Sequence, residues 1–323
     1  MKGESDGTRG AYGRDVNEFF NYLGKDIRYL TVNDIQLHMD DVIKYQWHLK
    51  TKVNANSNSS INRKVTTITQ LYKRFHNGKY VSDLVAFNMV ERLKQQDNSY
   101  GILAVDEVFT MADIVMTQKT RGRDRRLSKR NLILMSLDTC LRKSAILNIK
   151  WSDFSINGDF VEFTAIDKNG AVNKQIKISF YNQLLAMREI EGDNTEYVFN
   201  LHPNTVDNMM NWLRNEMELP ESRNIVFHSI RKAGVTFQYR ISNDILQAME
   251  AAGHKNVNTT QIYLKSRSYG NLGAVSNSID EDMDLIKLIS HEDLLKTLDA
   301  LPIAEKMIII KKIKELNINL SNV

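Results

Sequence analysis

His228-Ser-Ile-Arg231-Lys232 is followed, after a stretch with helical apolar spacing, by Gly253-His254-Lys-Asn-Val-Asn-Thr-Thr-Gln-Ile-Tyr263. Upstream of both stand Cys140-Leu-Arg142-Lys-Ser and Asp167-Lys168-Asn-Gly170. Singly, these residues have ordinary structural uses. Arg142 can pair with a carboxylate at a helix end, Lys168 can sit solvated in a hairpin, and His228 can cap a helix. His254 can sit in a loop and Tyr263 can fill a core. Together, in this order and spacing, the four segments do not read as chance.

The chain around them has 323 residues, 43 basic and 39 acidic, for a formal charge of +4. That length is enough for two cores. Hydrophobic residues at 42% and charged residues at 25% give the balance of a globular protein, not a disordered or fibrous one. The single cysteine, Cys140, makes neither an internal disulfide nor a zinc site, so nothing points to an oxidising compartment. The start, MKGESDGTRG, lacks the apolar run of a signal peptide. No stretch approaches the ~18–20 apolar residues of a membrane span. A cytoplasmic protein with no membrane partner is expected.

Three prolines in the whole chain favour a mainly α fold. Tyr12, Val16, Phe19, Phe20 and Leu23 fall on one helix face. Thr31-Val-Asn-Asp34 has the form of a helix start, and that helix would carry Ile35, Met39, Val42, Ile43 and Trp47 inward. A third helix from about Ser60 repeats Ile61, Val65, Ile68, Tyr72 and Phe75 until Asn77-Gly78, and a fourth is expected over Ser82–Gln95. The polar stretch Gln95–Gly101 reads as a linker. Beyond it, Thr110-Met-Ala-Asp113 predicts another helix start, and residues 127–147 a long apolar helix broken near Cys140. Asp159–Ile166 and Lys174–Phe180 predict a loose hairpin around Asn169-Gly170, with Tyr197–Asn200 as a short third strand. Helices return over Thr205–Met217, Ser229–Arg240 and Asn243–Ala252. In the tail, Ile286–Leu298 and Ile303–Leu316 have the spacing of two amphipathic helices.

The ordered motifs resemble the tyrosine recombinase (phage integrase) family over roughly residues 9–270. GHKNVNTTQIY is close to the family's final box, and HSIR with Lys232 to its middle box. LDTCLRKSAILNIKWSDF looks like the first box. The resemblance implies a mainly α protein: a helical, SAM-like core-binding domain over 1–96, a linker over 97–104, and a mixed α/β catalytic domain with a small antiparallel sheet over 105–273. A helical tail over 274–323 would follow. It also implies catalytic roles for Arg142, Lys168, His228, Arg231, His254 and Tyr263, with no metal and no cofactor. Two guanidiniums suit an anionic phosphodiester, whose transition state gathers further charge on its non-bridging oxygens. Tyr263 would be the nucleophile, forming a 3′-phosphotyrosyl bond that conserves the energy of the broken linkage. A phenol with an ordinary pKa near 10 needs help losing its proton, which falls to His228 or its surroundings. Lys168 would protonate the departing 5′-oxygen, and His254 would hold the phosphate.

Two features depart from the pattern. An acid typically stands three positions after the first-box arginine, where this chain has Ala145. About sixty residues also follow Tyr263, where the family often ends in a short helix docked on a neighbouring protomer. The readings are therefore an active site-specific recombinase on mobile or phage DNA and, as the alternative, a prophage repressor that keeps the fold without exchanging strands. Both take double-stranded DNA as partner in the nucleoid, with self-association that the isoleucine-rich tail would serve. Charge distribution agrees: residues 274–323 carry nine acids and six bases, which leaves the remainder at +7. Lys119–Arg130 alone holds seven basic residues and one acid. Lys119, Arg121, Arg123, Arg125, Arg126, Lys129 and Arg130 in that run are candidate phosphate contacts, as are Arg63, Lys64, Lys73 and Arg74 on the third helix.

Overall fold

A computed structural model describes residues 6–94, 100–119, 122–168, 170–264 and 289–315. The chain divides into two compact units, residues 1–98 and 99–323.

In the first unit α1 (Asp6–Tyr22), α2 (Asp41–Thr51) and α3 (Asn58–Asn77) enclose a core of Phe19, Phe20, Tyr45, Leu49, Ile61, Ile68 and Tyr72. The Phe19 ring meets Tyr45 edge-on at a centroid distance of 5.0 Å, the arrangement that ring quadrupoles favour. Ser57 caps α3 by accepting from Ser60 N, and Gly78 ends it.

Two expected helices of this unit are corrected. Thr31–Asp34 is a turn, because the Asp34 carboxylate accepts from Thr31 N at 2.9 Å and Thr31 Oγ1 at 2.6 Å and so satisfies those donors locally. The helix starts only at Asp41. Val42, Tyr45 and Leu49 face inward, while Met39, Ile43 and Trp47 are exposed, Trp47 by 64%. The expected fourth helix is one turn, α4 (Val85–Asn88). Beyond it the chain is tied to α3 by Asn62, which donates to Leu93 O at 2.8 Å and accepts from Leu93 N at 2.9 Å.

The second unit opens with α5 (Val105–Ile114), where Glu107 accepts from Ala104 N at 2.8 Å. Thr110–Asp113 thus lies inside a helix whose start is marked by Glu107. α6 (Arg126–Thr139) ends as Cys140 takes a left-handed φ of 56°, and α7 (Lys143–Leu147) follows. The three-stranded antiparallel sheet is β1 (Phe154–Asn157), β2 (Phe160–Asp167) and β3 (Gly170–Lys177), in that order.

Asp167 pairs with Gly170, so the β2–β3 connection is two residues long and tighter than the expected loose hairpin. The third strand is β1, not Tyr197–Asn200, where only Tyr197 makes a single bridge, to Lys150. Residues 178–180 begin α8 (Ile178–Ile190) and do not extend the strand.

Then come α9 (Pro203–Glu216), α10 (Phe227–Ser242), α11 (Ile245–Ala252), α12 (Val257–Leu264), α13 (His291–Ala300) and α14 (Ile303–Glu315). α14 packs on α5 and α10 of its own unit: Ala304 is buried, and Ile303 N donates to Asp106 Oδ1 at 3.1 Å. The expected tail segment 286–288 lies outside the described residues.

α10 and α6 touch through Gly234. A Cβ there would stand 2.3 Å from Leu137 O and 2.9 Å from Cys140 Sγ. Gly234→Ala is therefore expected to destabilise the second unit by about 1–3 kcal/mol, the usual cost of overpacking. Chemical denaturation checks this, and an unchanged midpoint would show that the two helices separate freely.

Candidate active site

Arg142 is placed by the end of α6. The left-handed turn at Cys140 redirects the chain, and Arg142 becomes the extended residue before α7. β2 alternates outward and inward, so Val161, Phe163, Ala165 and Asp167 all point into the core. The last of these is a carboxylate, 6% exposed. Its Oδ2 accepts from Arg142 Nη1 at 2.6 Å and lies 3.4 Å from Arg231 Nη1, while its Oδ1 accepts from Lys168 N at 2.7 Å.

Arg231 is 0% exposed on α10 and donates through Nη2 to Ala252 O at 2.6 Å. Lys174 Nζ donates to the neighbouring carbonyl, Ala251 O, at 2.5 Å. Two cations therefore grip the C-terminal carbonyls of α11, where the helix dipole favours positive charge. Gly253, at φ 60°, then turns the chain and delivers His254, which is buried with Nδ1 3.0 Å from Thr260 Oγ1.

His228 lies in the first turn of α10, its ring packed edge-on against Tyr100 at 5.5 Å. Lys232 Nζ fixes that tyrosine's backbone by donating to Tyr100 O at 2.5 Å. Tyr100, Arg142, His228 and Arg231 line one cavity of about 270 Å³, with Lys143 and Asp207 paired at 2.6 Å among its walls.

Burial, reinforced by Arg231, Lys232 and Arg142, pushes the His228 pKa down to about 4. Burial does the same to His254, again to about 4, with Arg231, Arg142 and His228 adding to it. Both imidazoles are therefore neutral at pH 7. One can accept a proton, and the other, in the tautomer whose Nδ1 accepts from Thr260 Oγ1, can donate from Nε2.

Arg142, His228 and Arg231 are thus brought together, and His254 is linked to them through the grip of Arg231 on α11. Lys168 is exposed in the β2–β3 turn, adjacent in sequence to Asp167. Tyr263 falls in α12, which packs on α10 and α11, and its side chain lies outside the described residues. Among the described residues no group of acids, histidines and cysteines could hold a metal, and no helix is long and apolar enough to cross a membrane.

Of the basic candidates, Lys73, Arg74 and Lys119 are exposed. Several others have protein partners. Arg63 pairs with Asp15, and buried Lys64 with Glu18. Arg123 donates to the carbonyls of Glu191 and Gly192. Arg125, with its side chain 14% exposed, is held by Glu191 and Asp193. Arg126 pairs with Asp124 at 2.6 Å, Lys129 donates to Gln118 at 2.6 Å, and Arg130 lies 3.6 Å from Asp113. Arg121 lies outside the described residues. Asp167, Lys174, Thr260 and Tyr100 were not singled out from the sequence as site residues. An acid in the inward phase of an alternating strand was the available sign for Asp167.

The sequence profile of the phage integrase family matches residues 102–268, and that of the phage integrase N-terminal SAM-like domain matches residues 1–75. The chain is 30% identical over 298 residues to the SPbeta prophage-derived probable integrase/recombinase YopP of Bacillus subtilis (strain 168), covering 89% of this chain and 81% of that one. It is 23% identical over 276 residues to a tyrosine recombinase of Thermosipho africanus (strain TCF52B), covering 82% and 90%. In fold it is similar to a lambda integrase tetramer bound to a Holliday junction, at a TM-score of 0.62 and 15% identity, over 84% of this chain and 76% of that one.

The two histidines should leave a mark on stability. The folded state keeps each neutral down to about pH 4, whereas the unfolded chain takes up protons near the ordinary value of about 6.5. Between those limits the unfolded state binds more protons, so their contribution is full above about pH 6.5 and falls as pH drops toward 4. His254→Gln is expected to flatten the fall relative to the unaltered protein in urea titrations across this range. Parallel curves would contradict the buried, neutral state.

Proposed function

The chain belongs to the phage integrase family, and from that membership we propose that it is a site-specific tyrosine recombinase that cuts and rejoins double-stranded DNA. The observation that carries the reading is the convergence of Arg142, Arg231 and His228 on one cavity. The two guanidiniums clamp the non-bridging oxygens of the scissile phosphate and neutralise the charge that grows on them. The Tyr263 oxygen attacks phosphorus as its proton passes to neutral His228. The bond to the 5′-oxygen breaks, and that oxygen leaves with a proton from Lys168. The product is a 3′-phosphotyrosyl linkage and a free 5′-hydroxyl, and attack by a second 5′-hydroxyl reverses the step on a new strand. His254 donates to a phosphate oxygen throughout.

The relatives' names and the DNA-bound tetrameric neighbour support action on DNA as an oligomer, and on that reading the protein works at the nucleoid. A repressor reading leaned on Ala145 and the tail. A carboxylate does lie between the two arginines, which favours the enzyme.

A nicked cognate duplex that traps the intermediate tests the reading directly. Wild-type protein is expected to accumulate a covalent adduct, and Arg142→Ala to slow its formation about 10²–10³-fold, the usual effect of losing a transition-state donor. No adduct from the wild type on its cognate site would overturn the proposal.

Binding offers a second check. Exposed Lys73 and Arg74 are better placed for phosphates than Arg125, which is tied up internally. Lys73→Ala/Arg74→Ala should reduce the log–log salt slope by about 2, while Arg125→Ala leaves the slope unchanged and lowers stability. The reverse pattern would place the 119–130 loop at the phosphates instead.

A further inference from the structure

We propose that Asp167 is the positioning residue of this active site: one buried carboxylate that sets Arg142, Arg231 and the Lys168 turn in a common frame. The inference rests on the recombinase reading for its functional meaning, but its geometry stands independently.

Two guanidiniums facing one cavity repel each other, and Arg231 has no exposure to water. Buried charges of one sign require a counter-ion held in good geometry. Asp167 Oδ2 is within ion-pair distance of both, at 2.6 Å from Arg142 and 3.4 Å from Arg231. The bond is shorter to the arginine that most needs holding. Arg231 is enclosed and is also fixed by Ala252 O, whereas the Arg142 side chain is 24% exposed and sits at a chain turn. The bond to Asp167 uses Nη1 of Arg142, which leaves Nε and Nη2 as a fork for a phosphate. Ala145, buried on α7 beside Arg142, carries no charge to do this.

The second carboxylate oxygen accepts from Lys168 N. The β2–β3 register fixes Asp167 opposite Gly170, so the turn bearing Lys168 cannot shift without carrying the carboxylate with it. The residue that would protonate the leaving group is therefore geometrically coupled to the clamp.

Asp167→Asn keeps the shape and removes the charge. With the nicked cognate duplex, adduct formation is expected to slow about 10²-fold, the effect of a misplacement near 1 Å, with DNA affinity changed less than about threefold. In an Arg142→Ala background the same substitution should cost about tenfold or less, well below its effect alone, because the share that runs through Arg142 is already gone while the hold on Arg231 and the Lys168 turn is still there to lose. A purely structural role would instead multiply the two losses.

A measurement without DNA separates this proposal from the recombinase reading. ¹⁵N NMR of arginine side chains in the wild-type protein, assigned with Arg142→Lys, should show hindered rotation of the Arg142 guanidinium. Free rotation there, or wild-type cleavage rates in Asp167→Asn, overturns the role assigned to Asp167. Hindered rotation without any adduct from the wild type would sustain Asp167 and sink the recombinase reading. If Asp167→Asn does not fold, the wild-type rotation measurement still decides.

Discussion

A guanidinium removed entirely from water needs every favourable partner the fold can offer, and Arg231 organises the second unit around that need. It reaches Asp167 at the end of β2 and Ala252 O at the end of α11, and it belongs to α10, which also carries His228. Strand, helix terminus and central helix are thereby fixed relative to one another by one side chain. Losing one partner of such a group is expensive because the other charge stays buried. The same contact delivers His254, since the helix whose carbonyl Arg231 holds ends at Gly253.

The electrostatic consequence is a cavity that is cationic yet keeps its imidazoles neutral. Arg142 and Arg231 supply permanent positive charge at any working pH. That charge, after burial itself, is what keeps protons off His228 and His254. A site built this way can attract a phosphodiester and still hold a proton acceptor ready. In the proposed reaction the acid is Lys168, which is exposed beside Asp167.

Much of this was legible in the chain itself. The motif residues 142, 228 and 231 line one cavity, and apolar patterning found α1, α3 and α6. What escaped depended on distant partners or on register. Placing the strand over Asp159–Ile166 left Asp167 to the turn, whereas the strand runs one residue further and makes it an inward-facing core position. The seven basic residues of 119–130 look like a uniform patch when counted locally. The acids that hold Arg125, Glu191 and Asp193, are more than sixty residues away and invisible to such a count. Thr31-Val-Asn-Asp34 shows a different limit: a hydroxyl followed by an acid can begin a helix or close a turn with the same local hydrogen bonds. There the apolar register of Val42, Tyr45 and Leu49 decides where the helix lies.

In the recombinase proposed above, the arginine pair activates a phosphate for attack by one particular phenol, Tyr263 and not Tyr100, whose ring meets His228. Mapping the trapped protein–DNA adduct by mass spectrometry after trypsin and nuclease digestion tests this most directly. A 3′-phosphonucleotide is expected on the peptide Asn256–Lys265, which contains Tyr263. A nucleotide on any other tyrosine, or on serine, would contradict it.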